Sequence, residues 1–154
     1  MGNLSSHFDD YEFACKCGCG RKTVSKDLID GLEEIFSIMN AKAIIITSGF
    51  RCPSYSVKIG GYSNDAHTVG IAADIKVKKQ DGSYYSPEQV AEAAERVGFG
   101  GIGLMNTACH VDRRDLGGYK NSHWFGDERT GNNRISTFQK GTDFGGTTVN
   151  SSQT

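Results

Sequence analysis

Residues 60–78 read "GGYSNDAHTVGIAADIKVK". One histidine, His67, lies among small and turn-forming residues, and one acid, Asp74, interrupts the apolar run "IAADIKV". That run is short and rich in β-branched residues, so it is expected to be a strand. Side chains alternate along a strand. Ile71, Ala73, Ile75 and Val77 therefore share one face, and Ala72, Asp74 and Lys76 the other. The glycine-rich loop before the strand is free to fold back and set His67 over the Asp74 face. An imidazole and a carboxylate on one face make two ligands for zinc. The bland alternative is a solvated strand face beside an unrelated histidine.

A third ligand is found in "ACHVDRR", residues 108–114. In a strand, His110 and Asp112 point the same way. Two histidines and one aspartate with an open fourth position form a catalytic zinc arrangement. Asp112 then has two roles open to it: taking a proton from water, or orienting His110 from behind. A plain ion pair with Arg113 or Arg114 competes with both. In "TSGFRCP", Arg51 follows a buried strand and a glycine turn, where loops often carry function. Its guanidinium suits a substrate carboxylate or a developing oxyanion, or is simply a surface charge. His7 and His123 are read as ordinary surface or core histidines.

The flanking sequence frames these motifs. "VSKDLIDGLEEIFSIMN" predicts a helix capped by Ser25, with Leu28, Ile29, Leu32, Ile35, Phe36 and Met39 on one apolar stripe. "AKAIIITSGF" predicts a buried strand, and "FRCPSYSVKIGGYSND" a long turn-rich connection. "SPEQVAEAAERVG" predicts a second helix, with Ser86 and Gln89 as a capping box, Pro87 at the first turn and Gly98 at the end. "GFGGIGLMNTACHVDRR" predicts two short strands around Asn106 and Thr107. The order is that of an α+β fold: a small antiparallel sheet, helices packed on one face, and the metal site on the sheet. Residues 1–24 read as a cysteine-rich arm of a 1–124 domain, and 125–154 as a polar, partly disordered tail.

The chain has 154 residues and a net charge of −1, so no strong field draws it to nucleic acid or to a membrane surface. No apolar run approaches the roughly 20 residues that span a bilayer, and no leader is expected at the N-terminus. The five cysteines are an odd count, and three of them fall in "CKCGC". In an extended stretch Cys15, Cys17 and Cys19 would share a face. With Cys52 they form a second metal site, an arm-to-Cys52 disulfide, or free thiols, and the balance is against the metal. Cys109 is expected to face the core.

Taken in order and spacing, "ITSGFRCP", "AHTVGIAADI", "GIGL" and "CHVDRR" resemble the zinc D-alanyl-D-alanine carboxypeptidases and related phage endolysins. The vancomycin-resistance dipeptidases and the hedgehog signalling domain share that fold. The resemblance runs from about residue 7 to Trp124, and "HFDDYEFACKCGCG" is similar to the N-terminal arm of the phage-type members. It implies that His67, Asp74 and His110 hold one catalytic zinc, that Arg51 and Ser63 serve the substrate, and that Asp112 matches the aspartate after the last ligand. Some relatives carry a histidine or acid shortly before that ligand as base; here Met105, Asn106, Thr107, Ala108 and Cys109 offer none, so Asp112 is taken as the base. Asp112→Asn is then expected to keep zinc and lose rate. The implied substrate is the peptidoglycan stem peptide, cut at D-Ala–D-Ala or L-Ala–D-Glu by a monomer. The implied place of action is the cell wall, reached by export or as a phage lysin through a separate pore. The rival implication is a zinc-stabilised module that binds wall or protein without cutting.

Overall fold

A computed structural model of the protein describes residues 2–59, 66–116, 118 and 122–125. The first helix, α1, spans Lys26–Ile38. Ser25 caps it by accepting from the Leu28 N–H, and Asp27 sits in its first turn. Asn40, at φ 49°, ends it in the left-handed conformation that closes many helices. Strand β1 covers Ala43–Ser48, helix α2 Pro53–Lys58, and strand β2 Ala72–Lys78. Helix α3 spans Pro87–Val97, with the Ser86/Gln89 capping box formed and Gly98 at φ 105° as its stop. Strands β3, β4 and β5 are Gly101–Leu104, Cys109–Asp112 and Ser122–Phe125.

The sheet order is β1-β2-β4-β3-β5. The first four strands pair antiparallel, as the alternating pattern leads one to expect. The fifth is an addition: β5 lies parallel to β3 at the edge. Helices α1 and α3 pack on one face. Leu28, Leu32 and Ile35 of α1 and Val90, Ala91 and Ala94 of α3 meet Ala73, Ile75 and Val77 of β2, Ile102 and Val111 in one buried cluster. Each fully buried large side chain there stabilises the fold by about 1.5–3 kcal/mol. Cys109 belongs to the same core.

Two expectations need correction. The connection after β1 is not wholly irregular, because α2 forms within it. Pro53 starts that helix at its first turn, and only Ser56 of its six residues is buried, so no apolar stripe announces it in the sequence. The N-terminal segment is more than an arm. A 3-10 turn at Asp10–Phe13 sets Phe8 and Phe13 fully into the core. The Phe50 N–H donates to the Phe13 carbonyl at 2.9 Å. Gly49 permits that approach, since a Cβ there would come within 2.6 Å of the Phe13 Cα. The domain boundary expected at residue 124 falls within β5, and the tail from residue 126 onward lies outside the described residues.

The face of the sheet away from the helices holds one cross-strand row. Ser48 pairs with Asp74, Asp74 with His110, and His110 with Gly103. The register shifts between Ile46 and Ser48, a bulge that sets Ser48 opposite Asp74. The Thr47 hydroxyl donates to the Asp74 carbonyl at 3.1 Å and holds the kink.

Candidate metal centre

Three side chains meet on that row. Asp74 comes from the middle of β2 and His110 from β4. His67 arrives on a 3-10 turn, Ala66–Val69, just before β2. One donor atom from each lies within 4.8 Å of the other two. His67 and Asp74 are buried, and the His110 side chain is 13% exposed.

The outer hydrogen bonds decide which ring nitrogens face inward. His67 Nδ1 lies 2.8 Å from the Gly49 carbonyl. A carbonyl only accepts, so Nδ1 carries the proton and the Nε2 lone pair is turned to Asp74 Oδ1, 3.4 Å away. His110 presents Nδ1 to the same Oδ1 at 3.0 Å, while its Nε2 meets Asp112 Oδ2 at 2.8 Å. Once His110 gives up its Nδ1 proton, the two inward nitrogens and an Asp74 oxygen offer lone pairs to one point. Each imidazole is held from behind by an acceptor, the arrangement that metal-binding histidines use. By donor type and by this outer support, the residues fit a metal ion.

Asp112 therefore stands on the far side of His110. Its side chain is fully buried. The Arg114 backbone N–H donates to Asp112 Oδ1 at 2.9 Å, and Arg114 Nη2 lies 2.8 Å from Oδ2. Arg113 turns elsewhere, to Asp115 at 2.9 Å. A carboxylate engaged in this way faces His110 and Arg114, not the point where the three ligands converge. The base role expected for Asp112 does not suit this position, whereas the orienting role does. Gly101, opposite Asp112 across β3 and β4, makes the room, because a Cβ there would fall on the carboxylate. Sequence reasoning did not single out Gly101 or the Gly49 carbonyl. The alternate glycines of "GIGL" opposite "CHVD" were the available signal.

The charges follow from the same contacts. Burial alone would raise the pKa of Asp74, but the imidazoles of His110 and His67 that face it outweigh burial and hold the carboxyl far below its ordinary range. Burial likewise works against the ionised Asp112, and His110 and Arg114 overcome it. For His110, burial would lower the pKa, yet the Asp112 and Asp74 carboxylates push it up to about 9.

Arg51 lies at the edge of this set. Its Nε–H donates to Ser48 Oγ at 3.3 Å, and its Nη2 lies 3.8 Å from Asp74 Oδ2. Its backbone N–H donates to the His67 carbonyl at 3.1 Å. The β1 bulge, which aims Ser48, thereby aims the guanidinium as well. Ser63 lies outside the described residues. Among the described residues, no helix is long and apolar enough to cross a membrane.

Comparison with curated proteins finds no match. The family model described as Peptidase M15 matches residues 6–112, a span that takes in Arg51, the converging His67, Asp74 and His110, and Asp112. M15 peptidases are metal-dependent, and the His67/Asp74/His110 set gives this chain the means to be so; the chain belongs to the peptidase M15 family of metallopeptidases.

Proposed function

We propose that the protein is a zinc-dependent peptidase that hydrolyses one peptide bond in the peptidoglycan stem peptide, either D-Ala–D-Ala or L-Ala–D-Glu. The observation that carries this reading is the convergence of two inward imidazole nitrogens and one carboxylate oxygen beside the Arg51 guanidinium. Two imidazoles and a carboxylate are a zinc donor set with room for a fourth ligand. When bound, the ion supplies Lewis acidity toward the scissile carbonyl and lowers the pKa of a water.

The chain's own residues do the rest. His67 is held in one tautomer by the Gly49 carbonyl, and His110 is oriented between Asp112 and Asp74, so both inward nitrogens already point at the site. Arg51, anchored on Ser48, offers N–H donors to a substrate carboxylate or to the oxyanion that forms at the attacked carbonyl. Ser63, four residues before His67, is assigned to the substrate side by its place in the motif. Such an enzyme works at the cell wall, reached by export or as a phage lysin released through a separate pore.

The test is incubation with purified wall and with a synthetic stem pentapeptide, with zinc and with chelator, read by mass spectrometry. Zinc-dependent release of D-alanine, or of cut stems, supports the proposal and names the bond. Intact stems, with wall binding retained, would sink it in favour of a non-cutting binding module.

A further inference from the structure

We infer that Cys15, Cys17, Cys19 and Cys52 hold a second, structural zinc ion that ties the N-terminal segment to the Arg51 turn. The four sulfurs all lie within 4.8 Å of one another. Cys15 and Cys17 are 3.3 Å apart, Cys17 and Cys52 3.5 Å, and Cys15 and Cys52 3.7 Å. All four are free thiols. A disulfide needs about 2.05 Å. Four thiolates around one zinc at about 2.3 Å stand at the corners of a tetrahedron with edges of about 3.8 Å. The observed separations are close to those edges.

The backbone is shaped to bring the sulfurs together. Cys17 and Cys19 are each followed by a glycine at positive φ, Gly18 at 89° and Gly20 at 80°. A left-handed residue after each of these cysteines turns the chain back on itself, which side chains with a Cβ resist. The Cys15 N–H donates to the Arg21 carbonyl at 2.8 Å and closes the loop. Convergence therefore comes from two glycine turns, and not from the shared face of an extended stretch.

A backbone donor reaches one of the sulfurs as well. The Cys52 N–H lies 3.3 Å from Cys15 Sγ. Four thiolates around one zinc carry a net charge of −2, and the same loop contains the cations Lys16, Arg21 and Lys22. Four protein sulfurs leave no position for water or substrate, so the site is closed and structural.

The placement gives the ion a task. Cys52 directly follows Arg51, and Phe50 before it packs with Cys15 and Cys52 in a small buried cluster. Arg21 lies over the Phe50 ring at 5.1 Å. The cluster thus clamps both flanks of the residue that reaches Asp74.

The metal count does not depend on the peptidase reading. The full chain is prepared in zinc under reducing conditions and measured by elemental analysis, beside His67→Ala and a Cys17→Ser/Cys19→Ser double variant. Both altered cysteines are exposed, so the core is left intact. Two zinc ions per wild-type chain and one in each variant are expected. Refilling His67→Ala with cobalt should give the intense thiolate-to-cobalt charge-transfer band of a tetrahedral sulfur site, and the cysteine double variant should lack it. Should the double variant fail to fold, the cobalt band of His67→Ala and its bleaching by chelator still decide the matter. A His67→Ala chain that binds neither metal, with its cluster thiols open to a thiol reagent or joined as disulfides, overturns the inference. A wild-type chain that cuts stems with a single zinc would overturn it too, and would leave the peptidase proposal standing.

Discussion

Asp112→Asn separates the two roles that the sequence leaves open to this residue. The amide keeps the size of the carboxylate and one acceptor for the His110 N–H, but removes the charge. If Asp112 orients His110, the loss falls on metal affinity. Removing such an outer partner weakens metal binding by about 10–100-fold, on the order of 1.4–2.7 kcal/mol. With metal in excess, the rate should then stay within several-fold of wild type. If Asp112 were the base, affinity would hold and the rate at saturation would fall by about 10²–10⁴. Stability should also drop by about 1–3 kcal/mol, because Arg114 loses its charged partner in a buried setting. The assay is a competition titration of zinc against a chromophoric chelator, followed by stem-peptide hydrolysis at saturating zinc and urea unfolding of each form. Affinity within twofold of wild type, together with a hundredfold loss of saturated rate, would refute the orienting role and return Asp112 to catalysis.

Other expectations are open to equally direct checks. Arg51→Met should keep zinc and lower kcat/KM by about 10²–10³, the usual loss of one oxyanion donor, and unchanged kinetics would remove Arg51 from the site. Gly101→Ala should push the Asp112 carboxylate off His110, so that zinc affinity falls and thermal stability with it; a variant that titrates zinc like wild type would show that β3 has room to give. In chelator, His110 with its pKa near 9 adds stability that is complete below its unfolded value of 6.5 and is lost as pH rises to 9, up to about 3 kcal/mol. Urea unfolding across that range, with His110→Gln subtracted as reference, should show the decline, and identical pH slopes would rule out the proton shared among His110, Asp74 and Asp112.

What the sequence made legible was mostly local. Ser25 before α1, and Ser86, Pro87 and Gln89 before α3, act within one helical turn, so their spacing alone predicts the ends. Alternation in "IAADIKV" placed Asp74 on the face away from the helices because its neighbours Ala73 and Ile75 both enter the helix-packed core. Helix α2 escaped notice because its one strong local signal, Pro53, is also a turn signal, and its faces are not sorted by polarity. Strand β5 depends on pairing with β3 some twenty residues upstream, a contact that no local pattern records.

The site shows the same division at finer grain. The two-residue step from His110 to Asp112 put both on one face, which is true. It did not say which ring nitrogen the carboxylate meets. That choice follows from three-dimensional facts: the cross-strand pairing of Asp74 with His110, and the absent Cβ at Gly101 that makes room for Asp112. The bulge at Thr47 is of the same kind, since one extra residue in β1 aims Ser48, and through it Arg51, at the ligands. The cysteines invert the case. Extended-chain alternation predicted a shared face for Cys15, Cys17 and Cys19, whereas two positive-φ glycines are what bring their sulfurs together with that of Cys52. A motif thus names the groups, and backbone turns decide whether they support one another from behind or converge on one point. Here Asp112 supports from behind, while His67, Asp74 and His110 converge in one place and the four cysteine sulfurs in another.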